Sequence, residues 1–516
     1  MIDDRIKRKI VTVEQLQAAI GPRPRDRKVI MCHGTFDIVH PGHVRHLAFA
    51  KSKADVLVAS LTADQHITKA NARPFVPQEL RAYNLAALEA VDWVIVDEDP
   101  KPLRNLGIIQ PDYFAKGYEY VKGGIDPRTQ EELDVLEGYG GEFLYTPGDV
   151  VFSSSAIIDA GPPDLAAEKL GVLLEAEGLD FARLRAAVGE LGKARVHVIG
   201  DMIVDGYTYT TLIGGNTKTP TFSVRRDRQV DYVGGAGIVA KHLAAAGARV
   251  TLTTVLGDDD VGRFARADLE AAGVRIVGIV DPTRPTTHKN AFIAGGYRLL
   301  KVDSVDNRSI SGKVLRAVRE SIARENADAV VFSDFRHGIF NRATIPELTA
   351  AIPSGSYRVA DSQVASRWGN ILEFEGFDLI TPNEREARFS LGDQDSVVRP
   401  LGLELFKRAK ARTMILKLGE RGVIGYRQSG IGDGAEPRAF FVVDSLADRV
   451  VDAVGAGDAL LAYATLAMVA THNPVIATVL GSIAAGVECG IDGNTPVATG
   501  SVLERLDTLE RRAYLV

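Results

Sequence analysis

A chain of 516 residues is longer than one ordinary hydrophobic core serves, so two or three domains are expected. Hydrophobic residues at 46% and charged residues at 25% fit a globular protein in water. With 61 basic against 67 acidic residues and no long basic run, the charge pattern excludes a nucleic-acid footprint. Cys32 and Cys489 are too few for a disulfide framework or a zinc site, which points to a reducing compartment. The start "MIDDRIKRKI" lacks a signal-peptide core, and the longest apolar run, Ala459 to Ala470, falls well short of the roughly 20 residues that span a bilayer. A cytoplasmic location away from membranes is the expectation.

From Thr12, "TVEQLQAAI" reads as a short helix with a capping box between Thr12 and Gln15. "KVIM" (28–31) then reads as a buried strand. "GTFDIVHPGH" (34–43) follows, placing His40 and His43 where a strand passes into a helix. The first turn of that helix offers unpaired N–H groups and the positive end of the macrodipole, and two imidazoles added there suit a triphosphate. Apolar runs at 56–61, 92–96, 112–117 and 142–146 alternate with helical segments such as "PQELRAYNLAALEAV". That alternation predicts a parallel sheet flanked by helices.

The stretch "GTFDIVHPGHVRHL", with "TKANARPFVPQELRAYNLAALEAVDWVI", "AKGYEY" and "FSSSAII" in order, resembles the His-x-Gly-His nucleotidyltransferase superfamily. The spacing is similar to that of the adenylyltransferase domain of bifunctional ADP-heptose synthases. The resemblance covers about 25–159 and implies a Rossmann-like α/β domain. It implies in-line attack of a sugar phosphate on the α-phosphorus of ATP or CTP, with catalysis by positioning and charge stabilisation. His40 and His43 would contact the phosphates, with Thr35 and Phe36 beside them and Gly42 allowing close approach. Lys51 and Lys69 are candidate phosphate contacts, as are Ser153 and Ser154 at the last helix. Lys116 would hold the incoming sugar phosphate.

"GPPD" (161–164) breaks the pattern, and 160–194 reads as a helical linker with Phe181, Leu184, Val188 and Leu191 on one face. A second alternating region opens at "RVHVIGDMIVDGY", giving domains at 1–159 and 195–516 around the linker. Near the C-terminus, "VVDAVGAGDALLAYA" (450–464) puts Gly455, Ala456 and Gly457 at the start of an apolar helix. Exposed backbone N–H groups there form an anion hole for a transferring phosphate, and Asp458 follows where it could accept a hydroxyl proton.

This stretch resembles the ribokinase-type (PfkB) carbohydrate kinases, with "YVGGAGIVAKHLAAAGA", "VLGDDDVG", "TPNEREA" and "LKLGERGV" in order over about 195–505. The resemblance implies a ribokinase-like α/β domain using ATP and Mg²⁺. Asp205, Gly234 and Gly235 would face the sugar, with Lys289 as a further substrate contact. Asn383 and Glu386 would organise Mg²⁺, directly or through water, and Gly419 and Gly422 would lie near the nucleotide. Together the two halves resemble bifunctional ADP-heptose synthases with the domains in the opposite order, including "TKTPTFSV", "RPTTHKNAFIA" and "RLLKVD". The implied function is phosphorylation of a heptose-like sugar and nucleotidyl transfer to give an NDP-sugar.

Three departures bear on which sugar is used. Ile238 replaces a sugar-binding Asn, and Gly206 and Ala291 stand where heptose kinases tend to carry Arg. Ala453 also replaces the family's usual Thr. Two alternatives are an FAD synthetase-type bifunctional enzyme and a sugar-binding regulator with a decayed kinase domain. The expected partners are a sugar or sugar phosphate, an NTP and a second copy of the chain, with no nucleic acid and no membrane.

Overall fold

The computed structural model describes residues 4–39, 41–67, 74, 76–117, 127–146, 166–216, 221–363, 370–428, 440–491 and 493–513. The chain divides into two compact units, Met1–Val172 and Leu173–Val516.

The first unit is built on five parallel strands, β1 (Val29–Gly34), β2 (Val56–Thr62), β3 (Trp93–Asp97), β4 (Tyr113–Gly117) and β5 (Glu142–Thr146). Their order is β3-β2-β1-β4-β5. Side chains alternate across a strand, so Ile30 and Cys32 enter one apolar cluster with Leu47 and Leu85. Val29 and Met31 enter the opposite one with Leu106 and Phe114. Both faces of β1 are therefore buried, which is why it reads as a continuous apolar run. Strand order reverses between β1 and β4, and ligands of open α/β sheets bind at the carboxyl ends beside such a reversal. The Thr12–Gln15 capping box forms as the sequence indicates.

The second unit has two sheets. The larger contains β6 (Arg195–Gly200), β9 (Arg249–Leu256), β10 (Arg275–Val280), β13 (Ala329–Asp334), β14 (Tyr357–Ser362), β15 (Leu379–Ile380), β16 (Thr413–Lys417), β17 (Val423–Arg427) and β18 (Phe440–Val443). Its order is β10-β9-β6-β13-β14-β15-β16-β17-β18, parallel except at β16-β17-β18. The smaller contains β7 (Met202–Asn216), β8 (Thr221–Gly235), β11 (Thr287–Ala294) and β12 (Tyr297–Ser304), in the order β12-β11-β7-β8.

The long apolar run of the sequence lies in the helix Ala456–Thr471, which pairs with Pro474–Cys489 inside the unit. Its residues Ala459 to Met468 are all buried, so hydrophobicity around the whole circumference marks a core helix here. Among the described residues no helix is long and apolar enough to cross a membrane. The helix Phe181–Glu190, capped by Asp180, buries Phe181, Leu184 and Val188 and packs against the helices at 456–471, 474–489 and 499–513. The stretch read as a linker thus contributes a helix to the second unit.

Candidate functional site

In the first unit, β1 runs into Thr35 and Phe36 and the helix Pro41–Lys51 follows. Phe36 is buried in the left-handed region, φ 47°, and its ring meets His43 edge-on at 5.2 Å. A non-glycine residue held there shows that the surroundings fix this turn. Arg81, fully buried on the helix Gln78–Ala86, donates to the carbonyls of Thr35 and Thr62 and to Asp64. One guanidinium therefore ties the carboxyl ends of β1 and β2 together, beside the turn that leads into the helix Pro41–Lys51. Behind it, His33 contacts Ser60 at 2.9 Å and Thr62 at 3.2 Å. Burial, followed by the charge of Lys116, pushes the His33 imidazole down to about 3, so it is neutral.

His43 and Gly42 occupy the first turn of the helix, as the motif requires. Lys116 lies on β4, beside β1, and is paired with Glu132. Lys51, the other described lysine expected to contact phosphate, lies farther along. It closes the last turn of the same helix, about 12 Å along the axis from His43. Its ammonium donates to Asp92 and to the Asp55 carbonyl, both at 2.6 Å, which anchors the helix end rather than reaching a phosphate. His40, Lys69, Ser153 and Ser154 lie outside the described residues.

In the second unit, Asp361 near the end of β14 and Lys417 at the end of β16 lie by the N-terminus of the helix Ala456–Thr471. Gly455 caps that helix at φ 92°, a conformation that favours glycine. Its carbonyl accepts from the N–H of Asp458 at 2.9 Å, which sets Asp458 in the first turn with Ala456 and Gly457. Lys417, at the end of β16, donates to Asp361 at 2.9 Å. A Cβ on Gly457 would stand 3.4 Å from the Lys417 ammonium, so cation and anion hole adjoin.

Burial pushes the Asp458 carboxyl up to about 8, reinforced by Asp361 and more weakly by Asp205 and Glu488, while Lys417 opposes the shift. Burial works against the charge of Lys417, but Asp361, Glu386 and Asp458 outweigh it and hold the ammonium above its ordinary range. The arrangement is a carboxyl poised near neutral pH beside a fixed cation at a helix N-terminus. It suits proton removal from a hydroxyl attacking an anion.

Asp205 on β7 lies opposite Lys289 on β11 and against Gly234 on β8. A Cβ on Gly234 would fall 2.2 Å from the Asp205 carboxylate, so only glycine leaves that carboxylate in place. Gly235, at φ 56°, turns the chain into the helix Ala236–Ala245. Burial raises Asp205 and lowers Lys289, and each opposes the other's shift. Gly206 is hemmed in by the side-chain ends of His288, Asp231 and Asn290, all within 3.1 Å of where its Cβ would stand, so a larger residue there would have to displace them. Ala291 is buried opposite Tyr207, and Ile238 is fully buried in the helix after Gly235.

Asn383 and Glu386 form a capping box at the helix Glu384–Leu391. Both Glu386 oxygens accept from Asn383, at 2.7 and 2.6 Å. Burial raises the Glu386 carboxyl against the pull of Lys417. Gly419 and Gly422 shape the turn from β16 to β17, at φ 64° and 82°.

The structure brings together Asp205, Gly234, Gly455, Ala456, Gly457 and Asp458. It adds Lys417, Asp361, Glu488 and Asn494, which the sequence reading did not single out. Lys417 sat within a recognised stretch, "LKLGERGV", but an isolated lysine gave no cue. Asp361 lies near the carboxyl end of the parallel strand β14, and a carboxylate at such an end was the available signal.

The model for the pfkB family carbohydrate kinase matches residues 193–493, and the cytidylyltransferase-like model matches 31–160. The protein named bifunctional protein HldE from Pelobacter propionicus is 28% identical over 335 residues, 63% of this chain and 66% of that protein. One of the same name from a Caulobacter species is 31% identical over 299 residues, 57% of this chain and 59% of that protein. The chain thus spans less than two thirds of the length of these relatives. Phosphofructokinase-2 from Escherichia coli, in a crystal structure with potassium, shares the fold at a TM-score of 0.51 and 18% identity, over 62% of this chain and 100% of that one. With residues 193–493 matched and the Gly455–Asp458 turn in place, the chain belongs to the pfkB family of carbohydrate kinases and carries a cytidylyltransferase-like segment before the kinase region.

Proposed function

We propose that the protein is bifunctional: 195–516 phosphorylates a heptose-like sugar with ATP, and 1–159 transfers a nucleotidyl group from ATP or CTP to a sugar 1-phosphate. The product is an NDP-sugar of the ADP-heptose type. The observation that carries this reading is Asp458 in the first turn of the helix after Gly455, with Lys417 and Asp361 beside it. Asp458 takes the proton of the sugar hydroxyl as its oxygen forms a bond to the γ-phosphorus. The bond to the bridging oxygen breaks, and ADP leaves. Backbone N–H groups of the Gly455–Gly457 turn, with Lys417, hold the charge on the transferring group.

In the N-terminal unit the sugar phosphate oxygen attacks the α-phosphorus and pyrophosphate leaves. His40 and His43 stabilise the charge, and Arg81 and Phe36 fix the turn before them. The HldE relatives support the pairing of the two chemistries, and the retained Asp458, Lys417 and glycine turn favour an active kinase over a regulator.

Mg²⁺ fits as an ion held mainly through water. Glu386 and Asp361 offer hard oxygens, but both Glu386 oxygens are engaged by Asn383 and, among the described residues, no three acidic, histidine or cysteine groups close on one point. Bound to ATP, Mg²⁺ neutralises phosphate charge. The cytoplasm is the proposed location. A homodimer is the proposed assembly, for which the smaller sheet leaves Leu212, Ile213, Phe222, Tyr297 and Leu300 exposed.

The test is a panel of sugars and sugar phosphates incubated with ATP and with CTP, read by product mass. A phosphosugar and an NDP-sugar from the same sugar support the reading. Phosphate transfer to no sugar on the panel contradicts it.

A further inference from the structure

Glu488 is a buried carboxylate that the phosphoryl-transfer chemistry does not use. It lies in the last turn of the helix Pro474–Cys489, 1% exposed, and neither oxygen closes a hydrogen bond with a described residue. The Thr495 N–H lies towards it without closing one. Asn494, also buried, donates from Nδ2 to Asp205 at 3.3 Å. Because Asp205 is an acceptor, this contact fixes which way the Asn494 amide faces, and Oδ1 is left towards Gly455. A Cβ on Gly455 would stand 2.4 Å from Asn494 Oδ1 and 2.8 Å from Glu488 Oε1. Both oxygens therefore crowd the same point beneath the turn that forms the anion hole.

Resting on the kinase reading, we infer that Glu488 and Asn494 are positioning residues: Glu488 holds Asn494, and through it Asp205, in register with the Gly455 turn, so that the sugar hydroxyl meets Asp458. Two buried acceptor oxygens lining the same gap behind Gly455 are stabilised when one carries a proton, and Glu488, as a neutral acid, supplies it to the Asn494 carbonyl. The surroundings favour that form. Burial pushes the Glu488 carboxyl up to about 8, helped by Asp452 and opposed by the Thr495 N–H. The titratable groups around it are Asp452 in the segment before Gly455, itself 3.8 Å from Arg298, Asp458 on the facing helix, and Cys489 beside it. The neutral form also spares Asp458 a like charge.

The experiment compares wild type with Glu488→Gln, Glu488→Ala and Asn494→Ala in the full-length protein. It uses the sugar that wild type phosphorylates fastest and measures sugar KM, ATP KM and kcat at pH 7 and pH 9, with thermal melts from pH 6.5 to 9 without substrate. Glu488→Ala and Asn494→Ala should raise sugar KM on the order of tenfold, with ATP KM within about twofold of wild type. Glu488→Gln, which keeps a neutral donor, should recover most of that loss and should lack the rise in sugar KM that wild type shows at pH 9. The melting temperature should fall less steeply with pH in Glu488→Gln than in wild type, a readout that needs no turnover. Wild-type turnover alone decides the kinase reading. Equal sugar KM for Glu488→Gln and Glu488→Ala, or identical melting slopes for wild type and Glu488→Gln, would overturn the inference.

Discussion

Asp458 must be ionised to accept a proton, yet burial among Asp361, Asp205 and Glu488 pushes its carboxyl up to about 8. Since kcat/KM reports the free enzyme, kinase kcat/KM should climb about tenfold per pH unit below 8 and stop climbing above it, where ionisation of Glu488 raises sugar KM. A flat profile from pH 6 to 8 would remove Asp458 from the role of base. Asp458→Asn keeps the size and removes the base, so the kinase rate should fall by about 10²- to 10⁴-fold. In the other unit, His43→Ala removes a contact to the transferring phosphate, a loss of roughly 3 to 4 kcal/mol of transition-state stabilisation. Pyrophosphate release should then drop by on the order of 10²- to 10³-fold with phosphorylation retained.

At the scale of elements, the proposed reading puts the sugar side of the kinase site on β7 and β8. Their tolerance is low where Gly234 meets Asp205. Gly234→Ala would drive a methyl group to 2.2 Å from the Asp205 carboxylate, so Asp205 must move. Sugar KM should rise on the order of tenfold or more while ATP KM holds. An unchanged sugar KM would show that Asp205 does not grip the substrate.

These same strands show what could be read beforehand. Buried parallel strands such as β1 and β2 were legible because both faces are apolar, and the glycine turn at 455–457 was legible because its function needs small residues at fixed spacing. Lys417, Asp361, Glu488 and Asn494 come from four separate segments. Only folding brings them to one point, and each alone reads as an ordinary polar residue. Lys51 shows the converse, since a lysine in the last turn of a helix also suits the negative end of the macrodipole, and there it pairs with Asp92.

Across the Leu173–Val516 unit, the buried titratable groups impose a pH dependence on stability. Burial pushes Asp334 up to about 7, and Asp458 and Glu488 up to about 8. Between pH 6.5 and 8 these groups keep protons in the folded state that the unfolded chain has lost, so stability is greater at the acid end and falls as pH rises through the folded values. His197, His242 and His337 are pushed down by burial, to about 4, 3 and 3, so they oppose this slope near pH 6.5, where an unfolded imidazole is about half protonated, and add little above about pH 7.5. Thermal melts of the ligand-free protein should show a melting temperature falling from pH 6.5 to 8.5, less steeply in Asp458→Asn. A melting temperature rising over that range would contradict the account.

The central claim is that one chain carries two separable chemistries. Its most direct test follows product masses from Asp458→Asn and His43→Ala, each given the sugar, ATP and the second NTP, with and without added sugar 1-phosphate. Asp458→Asn should make phosphosugar about 10²- to 10⁴-fold more slowly, yet form NDP-sugar at the wild-type rate once sugar 1-phosphate is supplied, while His43→Ala should accumulate phosphosugar and release pyrophosphate on the order of 10²- to 10³-fold more slowly. A folded Asp458→Asn protein that fails to convert supplied sugar 1-phosphate would contradict the claim.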